Sequence, residues 1–298
     1  MQSLRRVGNL DTAQLTDEEI MYIEDRITEA VQPTLIGRKL FPVEVLPHAG
    51  FLTMRGYKRT SMGQARISLY GQSGSKDRSV KTPFDITVPV LDQNFKVNWR
   101  DLEASRGNQQ PLDVQEAIDA ARQVAEEEDK LLLTGEYTGW KALGVEGLAT
   151  ATGRNTQSSG GSWPANSLAD LSNAIGKLEE DGHTNKQFYA CVLRSGWAAK
   201  LRGLVSGTAT KWIDVIQGSQ PLFPAGIYTS DSLFTSAGAT TSALVLELGK
   251  DNFEMVIGRD MNVRSIEDED MNLRCKVYEV VAPRIKRPTS ICELTGLT

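Results

Sequence analysis

The stretch DVQEAIDAARQVAEEEDKLLLTG, residues 113–135, decides the fold of this chain. Its apolar residues recur at the spacing of one helix face, at Val114, Ala117, Ile118, Ala121, Val124, Ala125, Leu131 and Leu132. Asp113 is placed to cap the helix with Glu116 as capping-box partner, and Gly135 is placed to end it. The charged residues that fall largely outside the apolar face are Glu126, Glu127, Asp129 and Lys130. A straight helix of this length spans ~30 Å, the width of a small domain, which favours a scaffolding role.

Composition indicates a folded protein with no bias toward nucleic acid or membrane. The 298 residues suffice for two domains or one elaborate domain, and 40% of them are hydrophobic. A formal net charge of -5 and a pI near 5.3 do not fit the basic footprint of a nucleic-acid-binding protein. No apolar run reaches the ~18 residues of a membrane span. Arg5 and Arg6 precede no apolar segment of the kind found in signal peptides. We therefore expect no membrane partner.

The residues that common catalytic and metal sites require are scarce. His48 and His183 lie far apart in the sequence, so neither is predicted to sit beside a nucleophile. The three cysteines, Cys191, Cys275 and Cys292, lie among apolar residues and far apart in the sequence, a spacing that does not suit a zinc site. This predicts buried thiols in a reducing compartment, with one disulfide pair as the alternative. Glycine-rich nucleotide loops and the Gly-x-Ser-x-Gly elbow are also missing from the sequence. We expect no enzyme activity, no metal and no cofactor.

One acidic run leaves a rival hypothesis open. The run Glu267-Asp268-Glu269-Asp270, with Asp260 upstream, has carboxylates of the kind that hold a divalent cation. Such a site would suit a metal-dependent hydrolase. Charge runs are more often solvated turns, and the position of 267–270 between two predicted strands favours that interpretation.

A second amphipathic helix is predicted over Thr16–Val31. Thr16 and Glu19 form a capping box at its start, and Pro33 breaks the helix after its end. Its apolar stripe consists of Ile20, Ile23, Ile27 and Val31.

Residues 48–83 differ in character from the rest of the chain. They are punctuated by glycine and carry basic residues at Arg55, Lys58, Arg59, Arg66, Lys76, Arg78 and Lys81. The apolar content is too low for a separate core, so we predict a two-stranded excursion that must pack against something else. Because the whole chain is acidic, a contact between subunits is favoured over one with nucleic acid.

The remainder of the chain mixes helices and strands without regular βαβ alternation, which predicts an α+β fold. A half-buried strand is predicted over Phe84–Val90, a surface loop over 150–166 and an amphipathic helix from Ser167 to Gly182. Further strands are predicted at 188–193, 243–248, 253–257, 277–282 and 291–294.

Several motifs, taken in order, resemble the encapsulins, prokaryotic shell proteins built on the Hong Kong 97-type fold of tailed-phage capsid proteins. The matching stretches are LIGRK at 35–39, RG at 106–107, AEEED at 125–129, GVEGL at 144–148 and DNFEMVIGRDM at 251–261. Each motif is modest alone, and their order and spacing carry the resemblance.

The resemblance implies a peripheral domain, an axial domain and an extended loop. It divides the chain into an N-terminal helix and arm (1–47), the extended loop (48–92), the peripheral domain (93–187 and 250–285) and the axial domain (188–249 and 286–298). The extended loop would lie across a neighbouring subunit through Arg55, Lys58, Arg59, Arg66, Arg78 and Lys81. Two segments, 150–166 and 208–226, look longer than a compact encapsulin needs.

By the same resemblance, the chain would assemble with itself into a closed icosahedral nanocompartment in a prokaryotic cytoplasm and enclose a cargo protein. Encapsulins hold a cargo tail in a groove beside the N-terminal helix. By position this groove would involve Ile20, Ile23 and Ile27, unless core packing uses these side chains. The alternative is a viral capsid protein of the same fold, which would enclose genomic nucleic acid in a virion and meet scaffold and portal proteins.

Overall fold

The computed structural model describes residues 15–31, 36–59, 67, 69, 80–108, 111–135, 143–233, 243–267 and 272–297. Its helices are α1 (Asp17–Val31), α2 (Gly37–Leu40), α3 (Trp99–Asn108), α4 (Gln115–Thr134), α5 (Ser167–Glu180), α6 (Ser195–Leu201) and α7 (Trp212–Ile216). Its strands are β1 (Val43–Val45), β2 (Thr53–Arg59), β3 (Lys81–Thr87), β4 (Val90–Val97), β5 (Asn155–Ser158), β6 (Tyr189–Leu193), β7 (Gly226–Thr229), β8 (Ala243–Glu247), β9 (Phe253–Glu267), β10 (Leu273–Ile285) and β11 (Ile291–Thr295). This interspersed order confirms the α+β class.

The described strands form two sheets and a ribbon. The first sheet has the order β1-β9-β10-β4, with β1 parallel to β9 and the other neighbours antiparallel. The second has the order β5-β11-β8-β6-β7. Strands β2 and β3 pair with each other as an antiparallel ribbon.

Strands β9 and β10 are far longer than the strands predicted at 253–257 and 277–282. They pair antiparallel from Leu273 opposite Glu267 to Ile285 opposite Phe253. The apolar pattern stops short because the outer half of β9 carries exposed polar side chains such as Arg259. The predicted strand over Phe84–Val90 is likewise divided, since β3 ends before Pro89, which has no N–H to donate.

Helix α4 is the predicted scaffold, and its apolar face packs against α1, β4 and β10. The N-cap residue is Val114, one position after the predicted Asp113, and its side chain makes no capping hydrogen bond. Asp113 lies just before it and accepts a hydrogen bond from the Gln115 N–H (3.0 Å). Glu116 does not complete a capping box, because its carboxylate accepts a hydrogen bond from the Lys96 N–H (3.3 Å). Gly135 ends the helix with a left-handed φ of 62°. No helix in the described part of the chain is long and apolar enough to cross a bilayer.

The chain turns back tightly after α4. The Leu148 N–H donates to the Leu132 carbonyl (3.1 Å), so the connection at 144–148 lies directly on the end of the helix. A Cβ on Gly147 would lie 2.3 Å from the Gly135 nitrogen. The close approach of the two backbones therefore admits only glycine at this position.

Helix α1 has the predicted bounds and the predicted capping box. The Thr16 N–H donates to Glu19 Oε2 (2.9 Å), and the Glu19 N–H donates to Thr16 Oγ1 (3.3 Å). The buried residues of the stripe are Ile23, Ile27 and Val31, which join the same core as α4. Core packing therefore fixes α1 against α4.

The second sheet is buried on both faces. Along β6, Ala190 and Val192 join the core that contains α4, whereas Tyr189, Cys191 and Leu193 join a second core that includes α5. Strand β5 and helix α5 precede the predicted boundary at residue 188, yet both pack on this sheet. The second sheet therefore draws on residues on both sides of residue 188, beginning with β5 at Asn155.

The predicted surface loop at 150–166 is more ordered than its composition indicates. It contains β5, which pairs parallel with β11. Asp170 on α5 accepts hydrogen bonds from Ser159 Oγ (2.7 Å), the Gly160 N–H (2.9 Å) and Trp163 Nε1 (2.8 Å). One buried carboxylate thus organises the polar half of the segment.

All three cysteines are free and buried, as predicted: Cys191, Cys275 and Cys292. Burial raises the pKa of Cys275 and of Cys292 to about 11. The thiols therefore stay protonated and pack as small apolar groups.

Candidate functional site

Two of the sequence motifs described above, LIGRK and AEEED, contact each other. The N–H groups of Ile36 and Gly37, at the start of α2, donate to Asp129 Oδ2 (3.1 Å) and Oδ1 (2.7 Å). Asp129 was predicted to lie outside the apolar face, but it is only 5% exposed. Burial raises its pKa to about 6, although the two backbone donors oppose the shift. A Cβ on Gly37 would lie 2.4 Å from Leu132 Cδ1, which explains the glycine in the motif.

Arg38 joins four elements through an ionic cluster. Its Nε lies 3.0 Å from Glu128 Oε1 on α4, and its Nη2 lies 2.8 Å from Asp260 Oδ1 on β9. The guanidinium also pairs with Glu279 on β10. Burial opposes the charge of Arg38, yet the surrounding carboxylates outweigh burial and raise its pKa. The cluster therefore ties the N-terminal arm to both α4 and the first sheet.

Glu128 and Glu279 are both fully buried within this cluster. Glu279 Oε2 has no hydrogen-bond partner among the described residues. Burial, followed by the nearby charge of Glu128, raises the pKa of Glu279 to about 9. Glu279 therefore holds a proton at neutral pH, which limits the excess negative charge around Arg38.

The acidic run proposed as a metal site is not supported by the geometry of Asp260. That carboxylate is committed to Arg38, and the ion pair lowers its pKa against the opposing effect of burial. Residues 268–270 lie outside the described residues. Within the ranges that the structure describes, no group of three or more histidine, cysteine, aspartate or glutamate side chains is arranged to hold a metal.

The ribbon β2–β3 carries four of the six predicted contact residues, namely Arg55, Lys58, Arg59 and Lys81. The other two, Arg66 and Arg78, lie outside the described residues. Arg55 pairs with Asp85 across the ribbon (3.3 Å). Lys58 pairs with Glu146 of the GVEGL motif (3.1 Å), which ties the end of the ribbon where Arg59 faces Lys81 to the connection after α4.

The ribbon also exposes apolar side chains that a single subunit leaves uncovered. Leu52, just before β2, is 81% exposed, and Tyr57 on β2 is about half exposed. Ile67 and Leu69, farther along the excursion, are fully exposed. At the root of the ribbon, where Met54 pairs with Ile86, Ile86 packs in a small separate core with Val88, Val280 and Ala282. Exposed apolar groups on an edge ribbon indicate contact with another molecule.

A groove of about 650 Å³ lies between α1 and α3. Its lining residues are Thr16, Glu18, Glu19, Tyr22, Ser105, Arg106, Pro111 and Leu112. Arg106 holds the two sides together, because Nε and Nη2 donate to the two oxygens of Glu19 at 2.8 Å each. The hydrogen bond from Arg106 is the main cause of a lowered pKa of Glu19. The groove thus combines an apolar lining with a fixed ion pair.

The predicted groove residues on α1 lie mainly on the side of the helix that packs against α4, away from the groove. Ile23 is fully buried and Ile27 is 4% exposed, so core packing uses both side chains. Ile20 is partly buried against the same core. The prediction that the stripe forms the groove depended on these side chains being free of core packing, and Ile23 and Ile27 belong to the core that contains α4. Sequence reasoning missed Tyr22 as a lining residue, and the RG motif at 106–107 was its only hint of Arg106.

The chain matches the family model described as "Encapsulating protein for peroxidase" over residues 3–282. It is 28% identical over 284 residues to the type 1 encapsulin shell protein EncA of Myxococcus xanthus, covering 95% of this chain and 94% of that protein. It is 26% identical over 281 residues to the diheme-cytochrome-encapsulin shell fusion protein of Kuenenia stuttgartiensis, covering 94% of this chain and 73% of that protein.

Solved capsids have the same fold. The virus-like particle from Pyrococcus furiosus aligns with a TM-score of 0.69 at 17% identity, covering 93% of this chain and 99% of that chain. The capsid of Myoviridae phage XM1 aligns with a TM-score of 0.62 at 13% identity, covering 100% of this chain and 99% of that chain. These likenesses confirm the Hong Kong 97-type fold. Because the family model spans nearly all of its length, the chain belongs to the encapsulin family of self-assembling shell proteins.

Proposed function

We propose that this shell is a closed icosahedral nanocompartment of a prokaryotic cytoplasm, and that the groove between α1 and α3 binds a tail of its cargo protein. The observation that carries the proposal is the groove itself, with Tyr22, Pro111 and Leu112 as apolar lining beside charged Glu18. Grooves of this size and lining accept a short peptide through a few side-chain anchors. The relative from Kuenenia stuttgartiensis is named as a fusion of a diheme cytochrome with an encapsulin shell, which supports the association of a second protein with the shell.

In this proposal the isoleucine stripe supports the groove by packing in the core and does not contact the cargo tail. Ile23 and Ile27 fix α1 against α4, so that the side of α1 with Glu18 and Tyr22 remains available. Each groove needs only modest affinity, because a cargo oligomer with several tails meets many grooves inside one shell.

The ribbon supplies contacts between subunits in the same proposal. It lies across a neighbouring copy and presents Arg55, Lys58, Arg59, Arg66, Arg78 and Lys81. The exposed apolar groups Leu52 and Tyr57 support this role, since ordering a ribbon is costly unless a partner buries it.

The groove is tested by two matched variants on α1. Tyr22→Glu places a charge in the groove, whereas Met21→Glu places the same charge at a 64% exposed position outside the groove lining. We expect intact shells from both, with cargo lost only from Tyr22→Glu. The measurement is co-purification of partner proteins with shells from the native source.

Two outcomes would contradict the proposal. Undiminished cargo in intact Tyr22→Glu shells would refute the groove. Wild-type shells that contain nucleic acid and no partner protein would favour the viral capsid instead, and the ratio of nucleic-acid to protein absorbance separates the two contents.

A further inference from the structure

The groove between α1 and α3 lies beside the point where the chain enters α1. Leu15 is buried in the core that contains α4, and Thr16, the next residue, lines the groove. The capping box between Thr16 and Glu19 fixes the direction of this entry. Residues 1–14, called the N-terminal segment below, are therefore joined to the groove at its edge.

The N-terminal segment has the sequence MQSLRRVGNLDTAQ. Its aliphatic side chains recur at every third residue: Leu4, Val7 and Leu10. Arg5 and Arg6 add two positive charges, against one negative charge at Asp11. The segment thus combines spaced apolar anchors with an excess of positive charge, which suits a peptide that binds in an apolar, acidic groove.

The groove carries the opposite balance of charge. Its charged lining residues are the two carboxylates of Glu18 and Glu19 and the guanidinium of Arg106. Arg106 donates two hydrogen bonds of 2.8 Å to Glu19, so these two charges offset each other. Glu18 is exposed and forms no ion pair with a cation in the part of the chain that the structure describes. One negative charge therefore remains beside the apolar lining.

The apolar lining lies within reach of the N-terminal segment. Thr16 and Tyr22 are separated on α1 by ~9 Å, at 1.5 Å per residue. The stretch from Leu10 to Leu15 can span ~17 Å when it is extended. The connection to Leu15 is therefore long enough for the aliphatic side chains of the segment to meet Tyr22.

We propose that the N-terminal segment occupies the groove of its own subunit and keeps other peptides out until a cargo tail displaces it. Its aliphatic side chains pack against Tyr22 and Pro111, and its arginines face Glu18. This inference rests on the proposed function, because it takes the groove as a peptide site, and it adds the regulation of that site.

The short connection makes a weak contact sufficient. A segment joined to its site in this way has an effective concentration in the millimolar range, so a contact with a dissociation constant of about 0.1 mM fills most grooves. The apparent affinity of a free cargo tail then falls roughly tenfold, in proportion to the fraction of grooves that stay open. A cargo oligomer with several tails overcomes a loss of this size, whereas a single unrelated peptide does not.

A photo-crosslink in the complete chain tests the proposal. The variant Val7→benzoylphenylalanine carries a photoreactive side chain in the N-terminal segment, and irradiated shells are read by mass spectrometry. We expect the main links to join residue 7 to Tyr22, Pro111 or Leu112. Shells assembled from isotopically mixed chains distinguish links within one chain from links between copies, and we expect links within one chain.

Two pairs of matched variants, each carrying the same photoreactive residue, test the charges and the groove. Arg5→Glu with Arg6→Glu should lower the yield of groove links roughly tenfold, whereas Arg5→Lys with Arg6→Lys keeps the charge and should retain them. Tyr22→Glu should also lower the yield, whereas Met21→Glu, outside the groove lining, should not. If a charge variant fails to form shells, the link from residue 7 in the otherwise unchanged chain decides alone.

Links that avoid the groove, links between copies only, or no links at all would overturn the inference. Equal yields from the charge-reversed and charge-conserving variants would overturn it as well. The proposed function fails or stands separately. Cargo that is lost from Tyr22→Glu shells without any groove link in the wild-type background would uphold the cargo groove and overturn this inference. Groove links together with undiminished cargo in Tyr22→Glu shells would uphold this inference and refute the cargo groove.

Discussion

Glu279 shows how one residue links the fold to pH. It is fully buried near Glu128, and both carboxyl groups face Arg38. Its pKa is raised from 4.5 to about 9, so the folded state holds a proton that the unfolded state releases. Its contribution to stability is therefore complete below about pH 4.5 and is lost as the pH rises through about 9.

Glu279→Gln removes this titration while keeping the size of the side chain. The variant should lose less thermal stability than the wild type between pH 6 and pH 9, because only the wild type has a carboxyl at this position that releases its proton on unfolding. Thermal unfolding followed at both pH values measures the difference. Parallel pH profiles for the two proteins would show that Glu279 does not hold the proton.

Ile23 tests whether the stripe of α1 is core. Ile23→Ala should lower the free energy of unfolding by about 2–5 kcal/mol, since it leaves a cavity at a fully buried site. Met21→Ala, one residue earlier and 64% exposed, should change it by roughly 0.5 kcal/mol or less. Denaturant unfolding of dissociated subunits gives both values, and equal small effects would place Ile23 on the surface.

At the scale of elements, the ribbon separates folding from assembly. Arg59 lies opposite Lys81 in its register, so an Asn-Gly turn in place of residues 60–80 would close β2 and β3 into a short hairpin. The shortened chain should fold, because the root of the ribbon with Ile86 stays intact, but it should not form shells.

Circular dichroism and size-exclusion chromatography check the two halves of this prediction. A folded subunit that elutes as a small species is the expected result. Closed shells from the shortened chain would show that the excursion is dispensable for assembly.

Local sequence signals predicted elements better than partners. The C-terminal end of α4 follows from Gly135, and its start falls within two residues of the predicted Asp113, because both signals act through neighbours in the chain. The burial of Asp129 could not be predicted from periodicity, because its partner Gly37 is 92 residues away. The isoleucine stripe predicted which side of α1 packs in the core. The side of α1 that carries Tyr22 forms a groove only because α3 packs beside it, and that contact is not visible in the local sequence.

At the scale of the whole molecule, the distribution of charge along the chain favours contact with further copies. The chain has a net charge of -5, yet its excursion at 48–83 is basic, so acidic and basic segments occur in one chain. Because attraction between such surfaces needs at least two molecules, the charge pattern suits a self-assembling shell better than a monomer.

Electron microscopy of the purified wild-type protein, with its mass measured in solution, tests the central claim most directly. We expect closed particles of uniform size built from this one chain, formed without added cofactor. A stable monomer or dimer at working concentration would contradict the account.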